Sequence, residues 1–182
     1  METPQWLLFI YQLPAAPSTH RSYVWRKLKA MGALYLQNSI CLLPEAAAHR
    51  SRLEELRAEI ASRGGGAQLF LVQFPDAGEY RAIIGRFEQQ MSDEYGEFLE
   101  QCRDFHAELE KERGKNHLTF GELEENDAEL NKLRAWLPKV QGRDFFQSAL
   151  QKKAVETLSE CERDFAVFED QVERASDPGT PQ

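Results

Sequence analysis

The sequence predicts an α+β chain: a βαββαβ unit over residues 1–75, then an antiparallel three-helix bundle over residues 76–182. Two strand-like apolar phrases, "WLLFIYQLP" and "AQLFLVQFP", open and close the first 75 residues. Beyond Pro75 the apolar residues recur in steps of three and four, the period of a helix. Charge changes at the same place. Residues 1–74 carry 8 Lys+Arg against 5 Asp+Glu, a net of +3, and residues 75–182 carry 14 against 25, a net of −11. The break at Phe74-Pro75-Asp76 is the expected domain boundary.

Trp6 to Leu13 is bulky and almost continuous, as in a strand covered on both faces. Pro14 and Pro17 end it. Ser18 then stands as an N-cap for a helix that runs to about Met31 and stops at Gly32. Val24, Leu28 and Met31 share one face of that helix, with Trp25 at its edge. Leu34 to Leu43 reads as two short strands around the polar turn Gln37 to Ser39. Pro44 to Ser62 is a second helix with Leu53, Leu56 and Ile60 inward. Ala67 to Phe74 is the last strand. The order is that of a ferredoxin-like fold, an antiparallel four-stranded sheet whose first and third strands are central. Gly64-Gly65-Gly66 follows a helix and precedes a strand, the reverse of a phosphate-binding loop, so it is a turn.

In the second half, Asp76 with Glu79 starts a helix over 77–113, about 55 Å long at 1.5 Å per residue. Its stripe is Tyr80, Ile84, Phe87, Met91, Tyr95, Phe98, Cys102, Phe105 and Leu109. Gly114 stops it. Thr119 with Glu122 forms a capping box for a helix carrying Leu123, Leu130, Leu133 and Leu137, ended by Pro138 and Gly142. A third helix, about Ser148 to Arg174, carries Ala154, Leu158, Cys161, Phe165, Phe168 and Val172. Phe98, Phe105, Leu158, Phe165 and Phe168 are the expected core. "SDPGTPQ" is expected to fray, giving the second half an acidic tail.

No apolar run reaches the ~20 residues of a membrane span, and the N-terminal run lacks the flanks of a signal peptide. Three widely spaced cysteines suit free thiols. A cytoplasmic protein that makes no membrane contact is expected. Cys102 and His106 have a ligand-like spacing, but Cys102 continues a core stripe and no second pair accompanies it, so neither metal nor cofactor is expected. No nucleophile elbow, metalloprotease motif or carboxylate cluster appears, which predicts a non-enzyme with no catalytic residues. The suggestive surface is the first helix. Residues 18–31 carry Arg21, Arg26, Lys27 and Lys29 with no acid, and Arg26 and Lys29 lie opposite Val24 and Leu28. Such a face can track phosphates; it can equally be a solvated helix face whose long stems cover apolar surface.

The segments "WLLFIYQLP…RSYVWRKLKAMGALYLQNSICLLP" and "LTFGELEENDAELNKLRAWLPKVQGRDFF" resemble the N-terminal domain of ChrB proteins. The pattern W-x-L…R-x-x-x-W-R-x-L-K-A-x-G-A runs from Trp6 through Arg21, Trp25, Arg26, Leu28, Lys29, Ala30, Gly32 and Ala33. F-x-E-L-E-E from Phe120 and R-D-F-F from Arg143 extend it, so the resemblance covers Trp6 to about Val172. PaaX-type repressors share the front half at longer range, as does a small CRISPR-associated nuclease of ferredoxin-like fold. That nuclease holds a metal with an aspartate after its first strand, where this chain has Gln12-Leu13-Pro14, so nuclease chemistry is not implied.

The ChrB resemblance implies chromate-sensitive transcriptional regulation of an efflux operon. The expectation is a regulator of chromate or other oxyanion resistance that binds operator DNA through Arg21, Arg26, Lys27 and Lys29 as a homodimer. ChrB proteins continue into a C-terminal domain, so a separate polypeptide carrying that regulatory domain is an expected partner. The alternative is an adaptor whose acidic bundle binds a protein and touches no DNA.

Overall fold

The computed structural model describes residues 4–176. The elements run β1 (Trp6–Gln12), α1 (Thr19–Ala30), β2 (Leu34–Gln37), β3 (Ile40–Pro44), α2 (Ala47–Ser62), β4 (Gly66–Val72), α3 (Ala77–Lys115), α4 (Phe120–Gln141) and α5 (Leu150–Ser176). This is the expected α+β chain. The four strands form one antiparallel sheet in the order β2-β3-β1-β4. The chain packs as two compact units, Met1–Gln90 with Arg143–Phe146, and Met91–Gly142 with Gln147–Gln182.

In the first unit, the continuous apolar character of β1 has a direct cause, because both faces of the sheet are covered. Leu7 and Phe9, with Cys41 and Leu43 of β3, face Val24 and Leu28 of α1 and Leu53, Leu56 and Ile60 of α2. The alternate residues Trp6 and Leu42 pack with Leu34, Phe87 and Phe146. The Trp6 ring lies 5.6 Å from that of Phe87 and 6.2 Å from that of Phe146. The start of α3 and the Arg143–Phe146 segment thus serve the sheet. The charge break at Phe74-Pro75-Asp76 marks where helix follows strand, whereas the packing division falls at Gln90.

Several local signals act as expected and several act differently. The Asp76 carboxylate accepts from the N–H groups of Gly78 and Glu79 at 2.6 and 2.9 Å, capping α3. Thr119 Oγ1 accepts from Glu122 N at 3.3 Å, capping α4. Ser18 occupies the N-cap position of α1, but its side chain makes no capping bond. At the other end Ala33 N donates to Leu28 O and Gly32 N to Lys29 O, a Schellman motif. Gly32 has φ +78, and a Cβ there would lie 3.0 Å from Arg143 Cβ and 3.1 Å from the Phe145 ring, so both backbone and neighbours require glycine. Helix α2 starts at Ala47 rather than Pro44, because Pro44 is still in register with Trp6 in the sheet. Helix α3 passes Gly114, and Asn116 at φ 57 takes the left-handed position after it. Pro138 lies inside the last turn of α4 and does not end it.

The second unit is a helical core built from the expected stripes. Phe98, Phe105, Phe165 and Phe168 are buried, and Leu158 is partly buried against them. Beyond Ser176 the expected tail lies outside the described residues.

Candidate nucleic-acid interface

Helix α1 turns Val24 and Leu28 into the core, and this fixes where its cations point. They do not form one stripe. Arg26 sits on the exposed crown opposite the buried face. Lys27 points across to α2, where its Nζ donates to Glu59 Oε1 at 2.8 Å. Tyr23 donates to the other oxygen of Glu59 at 2.9 Å, and the Arg63 guanidinium lies 4.2 Å from the Tyr23 ring centre. Hydrogen bonding to Glu59 holds the Lys27 ammonium above its ordinary range, and the same contact holds Glu59 below its own. The Lys27 ammonium is therefore paired within the chain, in an ion pair that remains open to solvent.

Arg21 and Lys29 fall on the other flank, with Trp25 between them at i, i+4, i+8 spacing. Arg21 Nη1 donates to the carbonyls of Ala15 at 2.6 Å and Pro14 at 3.3 Å. These bonds fix the guanidinium in place without neutralising it. Arg26 is exposed and Lys29 partly so, and neither makes an ion pair among the described residues. Arg21, Trp25 and Lys29 line one side of an open cleft of about 700 Å³, and Tyr11, Tyr35 and the Gln37–Ser39 turn line the other. Among the described residues no Asp or Glu lines it. The Tyr11 and Tyr35 hydroxyls are 3.1 Å apart, and burial pushes the Tyr35 phenol well above its usual range. The sequence reading missed the far wall of this cleft. The spacing of residues 21, 25 and 29 was the available signal.

The second unit brings together residues that sequence spacing did not join. His106 Nδ1 lies 2.7 Å from Asp164 Oδ2, and its Nε2 lies 3.4 Å from Cys161 Sγ. Arg113 Nη2 pairs with Asp164 Oδ1 at 2.8 Å. Burial alone would raise the Asp164 carboxyl; the bonds from His106 and Arg113 outweigh it and hold the group below its ordinary range. The hydrogen bond shared with Cys102, together with burial, pushes the Cys161 thiol above its ordinary range. Cys102 and Cys161 are fully buried, which closes their sulfur atoms to solvent reactants. His106 is thus engaged with Asp164 and Cys161, while Cys102 continues the buried stripe of the core.

Among the described residues one group, Glu112, His117 and Glu122, brings three ligand atoms within 4.8 Å of one another. Lys115 and Lys111 already stand 3.2 and 3.7 Å from Glu112 Oε1, and His117 Nδ1 stands 3.1 Å from Oε2. Three cationic or potentially cationic groups balance that carboxylate, so the cluster is an ion-pair network.

Among the described residues no helix is long and apolar enough to cross a membrane. The family model described as "Protein ChrB, N-terminal" matches residues 21–178. A relative called Protein ChrB, from Cupriavidus metallidurans, is 37% identical over 97 residues, which cover 52% of this chain and 28% of that protein. The chain therefore spans little more than a quarter of the curated relative it matches. The family match takes in α1, both walls of the cleft except Tyr11, and all three long helices, and on that extent the chain belongs to the ChrB N-terminal family.

Proposed function

We propose that this chain is a non-enzymatic, cytoplasmic regulator of chromate or related oxyanion resistance, and that it binds operator DNA through α1. The observation that carries the DNA-binding part is the state of the α1 cations. Among the described residues Arg26 and Lys29 are without ion-pair partners, Arg21 is held only by carbonyls, and no acid lines the adjoining cleft. Cations so placed release counterions when they meet phosphates, which is the main source of DNA affinity. Membership of the ChrB N-terminal family supports the regulatory role. Binding as a homodimer, with a C-terminal regulatory domain as functional partner, completes the reading.

The test is a gel shift on the promoter region of its own operon, at low salt, with and without chromate. A retarded complex that chromate releases supports the reading. Absence of affinity for any DNA at low salt, where surface electrostatics are strongest, transfers the assignment to a protein adaptor.

A further inference from the structure

Trp25 is half exposed, at 50%. It makes no aromatic or cation–π contact with any described residue. A large indole left in water on a helix that buries its neighbours Val24 and Leu28 has apolar area available for a ligand. Two cations flank it one turn away on either side, Arg21 and Lys29, and among the described residues no carboxylate lines the cleft they share. The opposite wall offers Gln37, Asn38 and Ser39, which supply amide and hydroxyl groups at the tip of the β2–β3 turn. Ser39 at φ 62 fixes the shape of that turn.

An exposed indole between two cationic side chains, beside neutral hydrogen-bonding groups, fits one nucleotide unit with its neighbouring phosphates. Duplex DNA does not present a base face to its surroundings, because each face is stacked on the next pair. An unpaired or extruded base does, and proteins that hold single strands combine an aromatic platform with a cationic track. We propose that the α1 cleft takes one unstacked nucleobase on the Trp25 indole, with Arg21 and Lys29 on the flanking phosphates. This rests on the DNA-binding reading above and deepens it: the site prefers nucleic acid with an unpaired base to intact duplex.

The experiment uses the full chain and three fluorescein-labelled DNA probes of equal length: a single strand, an intact duplex, and a duplex with a central unpaired bulge. Binding is followed by anisotropy and, with unlabelled DNA of the same sequences, by tryptophan emission. Trp6 is fully buried and Trp136 partly so, hence quenching that disappears in Trp25→Leu belongs to Trp25. The expected result is tighter binding of single-stranded and bulged DNA than of duplex, with Trp25 quenching. Trp25→Leu should weaken those two by about 5- to 150-fold, the range of one base–aromatic stack, and Trp25→Phe should recover part of the loss. Circular dichroism and thermal melting should match wild type, since the side chain is half exposed.

Equal affinity for all three probes, with Trp25→Leu neutral, overturns the stacking proposal while the phosphate-tracking role of α1 stands. Absence of binding to every probe at low salt overturns both. Sedimentation that shifts from dimer to monomer in Trp25→Leu, with DNA affinity unchanged, assigns the indole to a second copy of the chain and also overturns it.

Discussion

Replacing Arg26 and Lys29 by Ala tests the link between the geometry of α1 and DNA affinity. Three cations on this helix have no carboxylate partner among the described residues: Arg21, Arg26 and Lys29. If each meets one phosphate of duplex DNA, the slope of log affinity against log salt should be about −2.7 per helix, at about 0.9 for each contact. The double substitution should bring it to about −0.9. Each lost contact then corresponds to about 3.5-fold less salt sensitivity of affinity across a fourfold change in salt. Random and operator sequences should be affected alike, because phosphates carry no sequence information. Lys27→Ala is the internal control. Its ammonium is bound to Glu59 at 2.8 Å, so its removal should change the slope by much less than Arg26→Ala. Anisotropy titrations from about 50 to 200 mM salt measure all of these. An unchanged slope in the double variant would refute the reasoning, as would a Lys27→Ala effect equal to that of Arg26→Ala.

Phe168, fully buried in the second unit, should cost about 3–5 kcal/mol when truncated to Ala; a loss below about 1 kcal/mol in urea denaturation would contradict its packing. Gly65→Ala should lower the melting temperature, because the new Cβ would fall 2.4 Å from the Gln12 carbonyl oxygen and 2.9 Å from Ile60 Cγ2, and an unchanged melt would show that β1 and β4 yield there at no cost. Asp164 should make the chain acid-sensitive. Its carboxyl is held below the ordinary range in the fold, so its contribution is complete above the unfolded value of about 3.9 and is lost as pH falls through the lower folded value. Asp164→Asn should flatten the decline of unfolding free energy between pH 5 and pH 2, and an unaltered profile would mean that other carboxylates dominate it.

The elements were largely legible because their signals are local. The Asp76 and Thr119 caps, the α3 and α5 stripes, and the left-handed stop at Gly32 each depend on residues within one or two turns. The Ser18 cap failed for an equally local reason, since its side chain makes no bond to the helix N-terminus. The site was legible in the composition and spacing of α1, but not in its partners. An acid-free segment revealed the cations, but Glu59, which takes Lys27, is 32 residues further on. The far wall of the cleft depends on how β2 and β3 turn beside α1. His106 and Cys161 are 55 positions apart, and their meeting depends on the register between two helices. The R-D-F-F segment carried family resemblance only. Its role in covering the sheet through Phe145 and Phe146 follows from long-range aromatic packing that no spacing rule anticipates.

The three thiols divide between the two compact units. Cys41 lies under the helices of the first, 1% exposed, and burial pushes its thiol up to about 12. Cys102 and Cys161 lie in the second. An alkylating reagent needs a thiolate and a path to it, so each sulfur reacts only during openings of the unit that encloses it. The chain thus carries two native chemical clocks. Cys41 runs at the opening frequency of the sheet unit, and the Cys102–Cys161 pair at that of the helical one. If DNA occupies α1 as proposed, the first clock should slow by the factor that ligand binding adds to local stability. The second changes only if opening is shared, so the ratio of the two rates measures how far the halves unfold as one.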